Sequence, residues 1–155
     1  MKRWLASLTI ACLLLESVAG AAVRGKAAKY VGGTLSELAP DSDGQFVLGE
    51  ASVVFTAKKG GTITIPYSRV DSIEYGQKAG RRLGLALTVS IFFIFSKKRK
   101  HFMTINFDDA AGKKQGAVFE LAKGIVQETL TTLETKTGKK VDYESDEARK
   151  HAAKL

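Results

Sequence analysis

Side chains able to do chemistry are few and scattered in this chain of 155 residues: two histidines, His101 and His151, and one cysteine, Cys12. His101 follows a basic run and opens an alternating apolar stretch. It reads as a surface strand residue whose neighbours lower its proton affinity, rather than as a general base. His151 lies in a polar C-terminal stretch. Two separated histidines without a cysteine nearby give no zinc spacing. Asp108 and Asp109 are adjacent carboxylates just before Gly112. That setting is a turn, where Asp satisfies local backbone donors, and it lacks the alternate-residue pattern of a calcium loop. Residues 20–26 read G-x-x-x-x-G-K, but Ala27 stands where a phosphate loop needs Ser or Thr. Triads assemble in three dimensions, so spacing does not decide a Ser/His/Asp arrangement, and no local signature points to one. The expectation is a non-catalytic chain with no cofactor and no metal.

The first residues read as an export signal. Lys2 and Arg3 form a basic start, residues 5–15 an apolar core, and Ala19-Gly20-Ala21 a small-residue cleavage pattern before Ala22. As a helix that core covers about 16 Å against roughly 30 Å of hydrocarbon, which favours a cleaved signal over an anchor. Cys12 sits inside it after Thr9-Ile10-Ala11, a poor lipoprotein box. The expected division is a signal peptide over 1–21, one domain over 22–143 and a polar tail over 144–155. The mature chain then has no cysteine, so neither a disulfide framework nor a thiol nucleophile. The formal charge of +8 becomes about +7 without Lys2, Arg3 and Glu16. A basic exported protein suits anionic lipid, acidic polysaccharide or an acidic partner, and not nucleic acid. The expected location is periplasmic or secreted, with peripheral contact to a membrane.

The feature most in need of explanation is the apolar run 83–95. Arg81 and Arg82 precede it; Lys97, Lys98, Arg99 and Lys100 follow it. As a helix it is about 20 Å long, short of a bilayer span, and a span would place one basic cluster on each side. As an interfacial helix it lacks a polar face. As a strand, residues 87–95 suit a pleated surface and would pair with 101–107 across a turn at 96–100. Val89, Ile91, Phe93 and Phe95 would then line one face, Phe92 and Ile94 the other. Both faces would need cover, from the domain itself, from a partner or from lipid.

The elements that must position these residues are short strands followed by a helix. Strand signals fall at 28–35, 45–48, 51–57, 62–65, 70–75, 101–107 and 117–121. Gly32-Gly33 suggests a bulge or a close backbone approach, and Val70 and Ile73 are out of strict phase. Turn clusters lie at 40–44, 58–61 and 108–112. Ala122, Ile125, Val126, Thr129, Leu130 and Leu133 share one helical face, with Gly138 as a stop. Ser145 is placed to cap a final segment, but so little apolar face predicts only a frayed tail.

The order predicts an α+β fold, a small antiparallel barrel or sandwich closed by a C-terminal amphipathic helix. Residues 62–75, which read TITIPYSRVDSIEY, resemble the strand, Pro-aromatic turn, strand stretch of bacterial pleckstrin-homology-like (PH-like) and GRAM-like domains. The stretches 101–107 and 116–121 resemble their last strands. The resemblance covers roughly 29–138 and implies the PH-like fold. Relatives that bind phosphoinositides carry Lys and Arg at the first hairpin loop. Here residues 36–44 are acidic, which argues against such a site. The expected function is a binding module that meets an anionic membrane or a protein partner through Arg81, Arg82, Phe92, Phe93, Lys97, Lys98, Arg99 and Lys100. The alternatives are a structural envelope protein that self-associates through the run, or an enzyme or inhibitor with no visible site.

Overall fold

The computed structural model describes residues 25–77 and 100–155. The expected signal peptide and the apolar run 83–95 lie outside the described residues. Strands β1 (Lys26–Gly33), β2 (Ser42–Leu48), β3 (Ser52–Ala57) and β4 (Thr62–Pro66) form one antiparallel meander. Strands β5 (Val70–Gly76), β6 (His101–Asp108) and β7 (Lys114–Leu121) form a second. Antiparallel pairing of β1 with β7 joins the two. A short strand β8 (Val141–Tyr143) adds to β5 in parallel, which gives the order β4-β3-β2-β1-β7-β6-β5-β8. This mixed sheet does not close on itself: β4 and β5 follow one another across a 3-10 turn, Tyr67–Arg69, without pairing.

Alternation builds the core. Ile63 and Ile65 of β4 point inward while Thr62 and Thr64 face water. On β6, Met103, Ile105 and Phe107 are buried at every second position. Phe119 of β7 is the aromatic centre: its ring lies 5.1 Å from Phe46, 5.2 Å from Phe55 and 5.8 Å from Tyr30. Tilted contacts at such distances add about 0.5–1.5 kcal/mol each beyond the area buried.

The two irregularities expected from sequence are both present. The β1–β7 register slips between Tyr30 and Gly32, and the β5–β6 register between Val70 and Ser72. The second slip restores Ile73 and Tyr75 to the phase of the core. Beside the first, the backbones of Gly33 and Gly116 meet. A Cβ on Gly33 would strike the Gly116 carbonyl oxygen, whereas one on Gly32 would meet nothing. The Thr34 N–H donates to that same oxygen at 3.0 Å, and the Thr34 hydroxyl accepts from the Gly116 N–H at 3.0 Å.

A 3-10 turn, Lys123–Ile125, leads into α1 (Val126–Thr137), which buries Val126, Thr129, Leu130 and Leu133. Gly138 ends it in the left-handed conformation (φ 69°), and its N–H donates to the Glu134 carbonyl at 2.9 Å. The helix packs on Tyr67–Arg69, over the gap between β4 and β5.

Two expectations fail. Residues 87–95 were to pair with β6, but β6 is full: Val70–Gly76 occupies one edge and Lys114–Leu121 the other. Both edges of β6 are thus taken by described strands. The C-terminal stretch was to fray. It instead forms α2 (Asp146–Ala152), with Ala148 and Ala152 buried and the Ser145 hydroxyl oxygen accepting from the Ala148 N–H at 3.1 Å.

The two neighbouring glycines provide a direct test of the close approach. Gly33→Ala is expected to cost about 2 kcal/mol or more in urea unfolding, and Gly32→Ala less than about 0.5 kcal/mol. Equal effects would show that the backbones at Gly33 and Gly116 are not in contact.

Candidate functional site

Among the described residues, a cluster of titratable and aromatic side chains that draws on four elements sits where the chain leaves β5 and re-enters β6. The phase of β5 after its bulge turns Tyr75 inward, opposite Met103 of β6. His101 lies two positions before Met103 and so shares its face. Parallel pairing with β8 sets Tyr143 beside Tyr75. Helix α2 then brings His151 over His101 and Arg149 over Tyr143.

The distances define the cluster. Tyr75 Oη and His101 Nδ1 are 2.7 Å apart, and both side chains are buried. Their rings stack at 6.2 Å and 12°. Tyr143 meets Tyr75 edge-on at 5.9 Å. The His101 and His151 rings are 5.4 Å apart. The Arg149 guanidinium lies 5.9 Å from the centre of the Tyr143 ring, within cation–π range. Glu144 closes the rim: its carboxylate accepts from the Gln77 N–H at 3.1 Å, and its N–H donates to the Tyr75 carbonyl at 2.9 Å. A Cβ on Gly76 would come within 2.6 Å of that carboxylate, so glycine is what lets Glu144 lie across the end of β5.

Burial, with a smaller push from Tyr143, raises the Tyr75 phenol to about 12. It therefore keeps its proton, and its hydroxyl shares one hydrogen bond with His101 Nδ1. Burial first, then His151 and Lys123, lowers the proton affinity of His101, against a weaker pull from Glu120. The uncharged form of His101 is thereby favoured. The Nδ1 of His151 is buried without a hydrogen-bond partner. The cluster can hold or exchange protons and offers aromatic faces. Among the described residues no three His, Cys, Asp or Glu side chains are grouped to hold a metal ion.

The opposite end of the sheet is different in kind. A groove of about 410 Å³ lies between the β1–β2 loop, β4 and the β6–β7 turn, and includes Glu37, Arg69, Asp108, Asp109 and Gln115. Three carboxylates against one guanidinium make a poor cradle for an anion. Asp109 is occupied in the turn itself. Its Oδ1 accepts from the Ala111 and Lys113 N–H groups at 2.9 Å, and its Oδ2 from Gln115 Nε2 at 2.9 Å. The Gln115 bond and then the Lys113 N–H hold its carboxyl below the usual range. Lys114 bridges Asp71 and Asp108, which raises its own affinity for a proton. The turn role expected for the pair is observed for Asp109, whereas Asp108 ends β6 and its carboxylate meets Lys114.

The candidate residues fare unequally. Arg81, Arg82, Phe92, Phe93, Lys97, Lys98 and Arg99 lie outside the described residues. Lys100 is described, and its Nζ donates to Glu120 on β7 at 2.8 Å, so it is held to the sheet. His101 is a correction: it is buried at 8% exposure, not a surface residue. The available signal was parity, because His101 is in phase with Met103, Ile105 and Phe107. A catalytic pairing of His101 with Asp108 or Asp109 is not formed, since they occupy opposite ends of β6. No helix among the described residues is long and apolar enough to cross a membrane, which says nothing of spanning by strands.

Neither models of protein families nor curated proteins match this chain. Function must therefore be argued from the arrangement itself.

Two outcomes follow from the cluster. Tyr75→Phe leaves the buried His101 Nδ1 without its hydrogen-bond partner and is expected to cost about 1–3 kcal/mol in urea unfolding. All four tyrosines are held above their ordinary 10.0, each chiefly by burial. The fold favours the protonated phenols, so their contribution is intact below pH 10 and lost as pH rises through the raised values, near 12 for Tyr30 and Tyr75. A tyrosinate absorbance titration should show no step near pH 10 while the protein is folded.

Proposed function

We propose that this chain is a non-catalytic, exported binding module of the PH-like type that docks on an anionic membrane surface through residues 81–100. The observation that carries the reading is the pairing of Gly76 with Phe102 at the end of the β5–β6 ladder. Residues 77–101 leave and return between two hydrogen-bonded strands, which lie about 5 Å apart. Arg82 is five residues from Gln77, within roughly 18 Å even when fully extended, and Lys97 is within roughly 11 Å of Lys100. Neither basic flank reaches across about 30 Å of hydrocarbon from the sheet. The objection that a basic cluster would have to stand on each side of a membrane is thereby removed, because both flanks belong to the side where the sheet is.

Near an anionic leaflet each such charge adds about 1 kcal/mol, and Arg81, Arg82, Lys97, Lys98 and Arg99 together add about 5 kcal/mol at low salt. The apolar residues between the flanks, Phe92 and Phe93 among them, add area to bury in the acyl boundary. Lys100 contributes less, being paired with Glu120. The acidic groove at the far end of the sheet fits a surface turned away from anionic lipid. Seven antiparallel strands followed by α1, which lies over the β4–β5 gap, support the PH-like assignment. The small-residue cleavage pattern before Ala22 supports export.

Co-sedimentation of the chain from Ala22 onward with lipid vesicles tests the docking. Binding is expected to anionic vesicles and not to zwitterionic ones, and to weaken steeply with salt. Replacing Arg81, Arg82, Lys97, Lys98 and Arg99 together by Ser should weaken it by at least about 100-fold, whereas Lys100→Ser alone should change it little. Equal binding to both vesicle types, or none to either, would refute the proposal.

A further inference from the structure

We propose that Tyr75, His101 and His151 form an acid-sensitive latch that holds α2 against the sheet at neutral pH and releases it as His101 takes up a proton. The latch stands whatever residues 81–100 dock on.

Its geometry disfavours a charged His101, whose side chain is buried at 8% exposure against the His151 ring of α2. With α2 in place, His101 Nδ1 is occupied by the Tyr75 hydroxyl at 2.7 Å, and the His101 ring lies 5.4 Å from His151. A proton on His151 Nδ1 would sit on a buried atom with no acceptor. The charged and titratable groups around the pair offer little relief. From the turn before α1, Lys123 adds positive charge near His101. On α2, Arg149 lies over Tyr143 of β8 and adds another cation. Tyr75 on β5 keeps its proton. Glu144, between β8 and α2, receives the Gln77 N–H. Glu120 on β7 is the carboxylate that favours a charged His101, and it is already bound to Lys100 at 2.8 Å.

Releasing α2 gives both rings to water. Its grip is small: seven residues, of which Ala148 and Ala152 are the buried ones, plus the Ser145 cap. Burial of two methyl groups leaves a low barrier to local opening. The docked state disfavours the His101 proton, so opening is linked to proton uptake. The latch is at full strength above the ordinary imidazole value of 6.5 and weakens as pH falls through it toward the lowered value of the docked state.

Hydrogen exchange of the full chain, corrected for the intrinsic pH dependence of exchange, is the direct readout. Between about pH 7.5 and pH 5, protection of the α2 amides is expected to fall roughly 10-fold, for the one proton His101 takes up on opening. Amides of β3 and α1 should keep their protection. His151→Gln keeps the shape and removes the ring that lies against His101, and is expected to flatten the pH dependence in α2. Histidine proton resonances supply a second measurement that needs no variant of the buried ring: the His101 midpoint should lie below 6.5 in wild type and rise in His151→Gln. The latch is overturned if α2 protection is independent of pH, or if it falls as much in His151→Gln as in wild type. A loss in β3 and α1 to the same degree, or a wild-type His101 midpoint at or above 6.5, would overturn it equally.

Discussion

The pairing of β1 with β7 is the contact on which the rest of the molecule depends. Each meander alone is a set of hairpins with one apolar face and nothing to cover it. The β1–β7 ladder makes them one sheet, and its Tyr30–Phe119 pair brings the rings of Phe46 and Phe55 to a common centre. Hydrogen bonds between strands add about 1 kcal/mol each at most once water is accounted for. The aromatic centre therefore supplies the larger share, and the ladder fixes which rings can meet. The close approach of Gly33 to Gly116 belongs to the same constraint, because a strand displaced there by a side chain would shift Tyr30 away from Phe119.

That ladder also sorts the molecule into two unlike ends. Ala28 pairs with Leu121, and Leu121 pairs with His101, so these three residues form a row across the sheet. The start of β1, the exit of β5, the entry of β6 and the turn into α1 all lie at the end marked by that row. The acidic groove and the Asp109 turn lie at the other. In linear sequence Lys26, Lys100 and Lys123 are far apart, and only the antiparallel register draws them to one end. The two histidines, fifty residues apart, meet for the same reason: β8 carries the chain back along β5 and sets α2 down on the opening of β6.

What was legible in the sequence was local, and what was not was long-range. Ile63 and Ile65, or Met103, Ile105 and Phe107, declare a strand because a period of two is visible in a few residues. Gly138 declares a helix end because its left-handed backbone favours glycine. The bulge at Val70–Ser72 was visible as a broken phase. Parity, however, says which face a residue takes and not which strand lies beside it. The pairing of 87–95 with β6 was chemically reasonable and topologically excluded, because β5 and β7 had already taken both edges. β8 was missed because three residues are too few to show a period, and its partner lies some seventy residues earlier. α2 was underrated for a related reason: two alanines make a weak apolar face by count, yet they suffice against a surface already shaped by Tyr75, His101 and Tyr143.

The described strands pair fully on both sides of residues 77–100. Lengthening a connection from about four residues to about 25 costs roughly 1.6 kcal/mol in closure entropy, because the penalty grows only as the logarithm of length. The β5–β6 ladder runs from Val70 to Gly76 without help from the excursion and is flanked on both sides by β8 and β7. A short polar turn between Gln77 and Lys100 would satisfy the same backbone at less hazard, since unshielded apolar sequence invites aggregation. The exit of β5 and the entry of β6 lie at the end of the sheet where the start of β1 and the His101–His151 pair also lie.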